Sequence, residues 1–117
     1  MTNYRPGDVV LIPFPFTDFS TLKQKPAVVL SSGSFNTTHS DIIVAAITSH
    51  LTPDIAAEEY HLNQTEQTAC GLPKASLIKL GKIVTLDQRL VRKTLGRLPD
   101  DSLVKIFDKL RLIFGNH

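Results

Sequence analysis

The chain has one cysteine, Cys70, in 117 residues, so no internal disulfide can form, and no Cys or His pair stands at zinc-ligand spacing. Neither a disulfide framework nor a structural metal is expected to hold the fold. Long apolar runs are also missing. The longest, Ile42 to Ile47, is too short to cross a bilayer, and Met1 to Val10 lacks the apolar stretch of a secretory signal, which points to a cytoplasmic protein. No Gly-rich phosphate loop, Gly-x-Ser-x-Gly elbow or His-Glu-x-x-His helix occurs, so nucleotide hydrolysis, α/β-hydrolase chemistry and zinc proteolysis have no support. What remains is ordinary globular material. Hydrophobic residues make up 42% and charged residues 21%, which excludes disorder and fibrous repeats, and the length suits one domain spanning residues 1–117.

The net charge of +2 hides an uneven distribution. Met1 to Pro73 holds three cations against seven anions, whereas Lys74 to Arg97 holds seven cations against Asp87 alone. Such a segment can present an anion-facing stripe to a nucleic acid or an acidic protein segment, or form a solvated surface partly neutralised by the acidic front half.

Hydrophobic patterning predicts short strands at Val9–Ile12, Ala27–Leu30 and Ile42–Ile47, whose continuous apolar character fits burial on two faces. Between the first two, Pro13 to Ser20 carries two prolines and three phenylalanines and reads as an ordered loop. Ser34 to Ser40 has room for one helical turn. Leu51 to Gln67 is polar, with Tyr60–Leu62 as a candidate edge strand. Ala75–Leu80 and Ile83–Leu86 read as strands separated at Gly81, where a bulge or bend is permitted, and Leu90 to Leu98 fits either a helical turn or a short strand. Leu103, Ile106, Phe107, Leu110, Ile113 and Phe114 recur at helical spacing after N-cap candidates in Pro99–Ser102, with Gly115-Asn116 closing the helix. Strands first and helix last argue for α+β, as a strongly bent barrel of five to seven strands with a packed terminal helix. The apolar face of that helix, extended by Val104 and Leu112, exceeds what one flank of a small barrel needs, and dimerisation or, more plainly, a larger core would use the surplus.

Several segments carry a specific pattern together: Gly7-Asp8-Val9-Val10, Pro13-Phe14-Pro15-Phe16-Thr17-Asp18, Lys25-Pro26-Ala27-Val28-Val29-Leu30-Ser31, Ala45-Ala46-Ile47-Thr48-Ser49, Gly71-Leu72, Ser76 to Leu80, Lys82 to Asp87 and Leu95-Gly96-Arg97-Leu98. In this set and order the sequence resembles the MazF/PemK family of toxin ribonucleases from bacterial toxin–antitoxin pairs. The resemblance implies a partly open SH3-like barrel of the CcdB/MazF type. It further implies a homodimer that cleaves single-stranded RNA without metal or cofactor and is silenced by a small acidic antitoxin, with no membrane involved. The family's catalytic pair is an arginine just before the Pro-Ala-Val-Val strand and a threonine ending the next long strand. Carried over, these are Lys25 and Thr48, so lysine stands where the family has arginine. Lysine keeps the charge and loses the two-pronged guanidinium fork.

RNA cleavage of this kind removes a proton from the ribose 2′-hydroxyl, returns one to the leaving 5′-oxygen and needs positive donors around the phosphate. An ammonium with a reference pKa of about 10.4 suits a clamp or proton donor better than a base. On a strand reaching His50, Thr48 and His50 share a face, so the imidazole is a candidate helper, against the plainer reading of an exposed rim histidine. Further substrate-binding candidates are Phe16 for base stacking, Asp18 and Lys23 in the loop beside Lys25, and the hydroxyls of Ser31, Ser32 and Ser76. Ser also occurs at such strand ends for turn chemistry alone, Thr48 could simply cap its strand, and Cys70 reads as structural. Two alternatives stay open: a catalytically impaired relative retained for binding RNA or antitoxin, and a CcdB-like gyrase poison. The second resembles a group that uses a C-terminal tryptophan, and this sequence has none.

Overall fold

A computed structural model of the chain describes residues 3–13, 23–51 and 56–115. Its elements run β1 (Asp8–Pro13), β2 (Gln24–Val29), α1 (Gly33–Thr38), β3 (Asp41–Thr48), β4 (Glu59–His61), α2 (Gln64–Ala69), β5 (Leu77–Asp87), β6 (Lys93–Arg97) and α3 (Asp100–Ile113). The six strands form one antiparallel sheet in the order β4-β5-β3-β2-β1-β6. The expected α+β architecture and strand number are present, and Tyr60–His61 lie in an edge strand as their pattern suggested.

The continuous apolar runs are explained by burial on both faces of the central strands. Val9, Val28, Ala45 and Ile47 point into one core with Ile78, Leu80, Leu98, Ile106 and Leu110. The alternate residues Val10, Ile12, Ala27, Val29, Val44 and Ala46 form a second core with Tyr4, Ile42 and Leu86. Period-two alternation therefore sends apolar groups to two hydrophobic environments, and no polar residue interrupts the run.

The two apolar stretches around Gly81 are one strand, β5. Ala45 pairs with Ile83 and Ala46 with Lys79, so Leu80, Gly81 and Lys82 form a bulge that bends the strand while the ladder continues on either side. The ambiguous stretch after Leu86 divides into a 3₁₀ turn at Gln88–Leu90 and strand β6. Helix α2 was not anticipated, although Asn63 and Glu66 are a capping box: each side chain takes the other residue's backbone N–H at 2.8 Å. Two glycines lock α2 against β6. A Cβ on Gly71, whose φ is +71°, would lie 2.1 Å from the Leu95 carbonyl oxygen, and one on Gly96 would lie 2.4 Å from that of Ala69. Glycine at both positions permits this close backbone approach, and β4 and β6, at the two ends of the strand order, do not pair.

Helix α3 departs from expectation at both ends. Pro99 is its N-cap residue and no side chain caps it; Asp100 and Asp101 occupy the first turn, where negative charge favours the helix dipole, and Asp100 also pairs with Arg97 at 3.3 Å. At the other end Phe114 is extended and Gly115 does not adopt the left-handed conformation, so the helix stops without a glycine cap. Ile106 and Leu110 are buried, whereas Leu112 is 82% and Phe114 58% exposed beside an apolar hollow of about 610 Å³ that also takes in Leu30, Ile43, Ile83 and Phe107.

Candidate active site

The site begins with a proline in a central strand. Successive residues of an antiparallel strand turn their backbone groups toward opposite neighbours. Val29 accepts from the Gly7 N–H on the β1 side at 2.9 Å, while Leu30 donates to the Ile43 carbonyl of β3 at 2.8 Å. By that alternation residue 26 faces β3, and Pro26 has no N–H to offer. The β2–β3 ladder accordingly ends at Ala27 and Ala46, although the register would next place Pro26 against Ile47 and Lys25 against Thr48. The strands remain held on their outer sides, Lys25 by Ile12 of β1 and Thr48 by Leu77 of β5. The space left between them is a groove of about 310 Å³ lined by Gln24, Lys25, Pro26, Ile47, Thr48, Ser49, Leu72, Pro73, Lys74 and Ser76.

Lys25 and Thr48 therefore share one hollow. Lys25 is half-buried. The Thr48 Oγ1 accepts the His50 backbone N–H at 3.1 Å, which occupies a lone pair and leaves the hydroxyl proton for an anion in the groove. No carboxylate stands among the described lining residues, and two ammonium groups do. The groove is thus a place for a chain of negative charge, with hydroxyls from Thr48 and Ser49 along it.

The other candidates divide. Ser76 lines the groove, but its hydroxyl donates to the Lys74 carbonyl at 2.9 Å, which fixes the turn beneath Lys74. His50 does not share a strand with Thr48, because β3 ends at Thr48; its ring is exposed and outside the groove lining, and its contribution is the backbone N–H. Lys23 is exposed just before β2 and is likewise outside the lining. Ser31 lies six residues from Lys25, roughly 20 Å along an extended chain. Its buried hydroxyl donates to Asn36 Oδ1 and accepts the Ile43 N–H at 3.0 Å, and the Ser32 hydroxyl caps α1 by accepting the Phe35 N–H at 3.1 Å. Both serines are structural at the far end of β2. Phe16 and Asp18 lie outside the described residues. The groove also takes in Leu72, which belongs to the Gly71-Leu72 motif, together with Pro73 and Lys74, which motif reading passed over; the one available signal for Lys74 was that the basic segment starts there.

That segment is not a single stripe. Lys79 lies 3.9 Å from Glu59, Arg89 is 3.0 Å from Asp87 and Arg97 is 3.0 Å from Asp8, so two of the three pairs use acids from the front half. The Arg89 guanidinium holds the Asp87 carboxyl below its ordinary value. Behind the groove, Tyr60 donates to Glu66, and burial together with that carboxylate pushes the phenol up to about 12. Burial would raise the Glu66 carboxyl, but hydrogen bonds from Ser102, Tyr60 and the Asn63 N–H outweigh it and hold the group below its usual value. Burial pushes the Cys70 thiol up to about 11, which leaves it an inert part of the core.

The model of the family described as PemK-like, MazF-like toxin of type II toxin-antitoxin system matches residues 5–114. The chain belongs to that family. No curated protein sequence matches it. Among solved structures, MazF from Deinococcus radiodurans superposes with a TM-score of 0.75 at 21% identity, covering 97% of each chain. A MazE–MazF complex from the same organism gives 0.74 at 21% over all of both chains. An endoribonuclease from a mycobacterial species gives 0.74 at 18%, over 96% of this chain and 91% of the other. At these identities the structures establish the shared fold: an open six-stranded antiparallel sheet with a C-terminal helix. Within this toxin family, the Lys25 position is the one at which the sequence resemblance implies arginine.

Proposed function

We propose that this MazF-type toxin is an endoribonuclease that cleaves single-stranded RNA in the cytoplasm without a metal ion, using Lys25 and Thr48 in the Pro26 groove. The observation that carries this reading is the meeting of an ammonium and a hydroxyl in one hollow, at the place where the β2–β3 ladder stops. An RNA phosphate in that hollow receives charge from Lys25 and a hydrogen bond from the Thr48 hydroxyl. These donors gain strength as negative charge builds on the phosphoryl oxygens during attack by the ribose 2′-oxygen. As that oxygen bonds to phosphorus, the bond to the 5′-oxygen breaks; in this reading the 2′-hydroxyl gives its proton to solvent water, the Lys25 ammonium protonates the leaving oxygen, and the resulting amine regains a proton from solvent.

The partner reading follows from charge and from the uncovered helix face. A groove with two ammonium groups suits an acidic segment as well as RNA, which is how a small acidic antitoxin would silence it. The apolar hollow beside α3, with Leu112 and Phe114 exposed, fits a second copy of the chain in a homodimer. Among the described residues no helix is long and apolar enough to cross a membrane.

The test is incubation of the protein, Lys25→Ala and Thr48→Ala with a long single-stranded RNA in excess EDTA. Cleavage by the parent and loss in both variants supports the nuclease. Lysine in place of the forked guanidinium favours a second reading, a family member that binds RNA or antitoxin without cutting, and intact RNA with salt-sensitive binding would establish it. Inhibition of supercoiling with RNA untouched would point instead to a gyrase poison.

A further inference from the structure

A groove that holds a scissile phosphate must also meet its neighbours, because every nucleotide of a single strand carries a charge. The lining that Lys25 and Thr48 share also includes Leu72, Pro73 and Lys74, followed by Ser76. Lys74 is exposed there and forms no ion pair among the described residues, in contrast to Lys79, Arg89 and Arg97 of the same basic segment.

The backbone beneath it is held from both sides. Leu72 donates to the Gln67 carbonyl at 3.1 Å and its own carbonyl accepts from the Gln67 side chain at 3.2 Å. Gly71 is locked against Leu95, the Ser76 hydroxyl donates to the Lys74 carbonyl, and the Ser76 carbonyl takes the Leu62 N–H at 3.1 Å. A cation on a wall built this firmly loses little backbone freedom when it closes on a ligand.

We infer that Lys74 binds an RNA phosphate next to the one held by Lys25 and Thr48, so that the groove grips the strand at two points. This rests on the nuclease reading of the same groove and extends it to how the strand is held. Lys74 acts on binding, and Lys25 and Thr48 on the chemical step.

The experiment measures cleavage kinetics and the salt dependence of RNA binding for the parent, Lys74→Ala, Lys74→Arg and, as a cation outside the groove, Lys82→Ala. In Lys74→Ala, KM should rise about fivefold with kcat within about twofold, and the slope of log affinity against log salt should become shallower by about 0.7, the value of one single-strand phosphate contact. Lys74→Arg should restore both, and Lys82→Ala should change neither. An unchanged KM and slope in Lys74→Ala, or an equal change in Lys82→Ala, overturns the inference while the nuclease stands. If the parent leaves RNA intact in EDTA, the nuclease reading falls by itself. The binding slope then still decides Lys74, and absence of RNA binding overturns both.

Discussion

Replacing Thr48 with Val removes one oxygen and keeps the branched shape, so it tests the hydroxyl without opening a hole. Oγ1 accepts the His50 backbone N–H at 3.1 Å, an exposed hydrogen bond that water can replace. The stability cost is therefore small, about 0.5 kcal/mol, which for a domain of this size lowers Tm by about 2 °C. The catalytic cost is of another order. A hydroxyl aimed at the charge that develops on a phosphoryl oxygen is worth about 2.7–4 kcal/mol when deleted, or 10²- to 10³-fold in kcat. Thermal unfolding and single-turnover cleavage of an oligoribonucleotide, run on the same preparations, separate the two. A Thr48→Val protein that melts with the parent and retains more than about a third of its kcat would show that the hydroxyl does not act on the phosphate, and the role given to β3's last residue would be wrong.

Lys25→Arg supplies the planar fork that the family resemblance implies and should raise the cleavage rate if phosphate grip limits it; an equal or lower rate would mean that the groove has adapted to an ammonium. Asn36→Ala deletes an amide that is fully buried and donates to the Tyr4 and Ser31 carbonyls at 2.9 and 3.0 Å while accepting from Ser31. Urea unfolding should show a loss of about 2–4 kcal/mol, and a loss under 1 kcal/mol would mean that water satisfies those groups. Glu66→Gln tests the network behind the groove through its pH dependence. The folded carboxyl titrates below its ordinary value of 4.5, so its stabilisation is complete above that value and disappears as pH falls from there through the lower folded value. The parent should exceed Glu66→Gln in urea stability at pH 7, with the gap narrowing below pH 4.5; a gap constant to pH 3 would refute the assignment.

Much of this molecule is determined by local sequence. The runs Val9–Ile12, Ala27–Leu30 and Ile42–Ile47 read as strands from their short length and bounding turn residues, with Leu30 falling just past the end of β2, and the spacing of Leu103, Ile106 and Leu110 reads as one helix face. Family motifs placed Lys25 and Thr48. Boundaries were less legible where two local signals competed. Gly81 reads as a break, yet the ladder resumes beyond the bulge because β3 continues to pair with Ile83–Asp87.

Only the tertiary structure decided which polar groups face the same space. Ser31 and Ser76 are the same residue type at comparable strand ends, but one is sealed against Asn36 and Ile43 while the other borders the groove. His50 and Lys74 show the same division: β3 stops two residues before the histidine, whose ring lies outside the groove lining, whereas Lys74, which follows α2, lines the groove with Lys25. Pro26 shows the division most plainly. Its missing N–H is written in the sequence, but that the gap faces β3, and so opens a groove between Lys25 and Thr48, depends on strand order and register, which arise from contacts between distant segments.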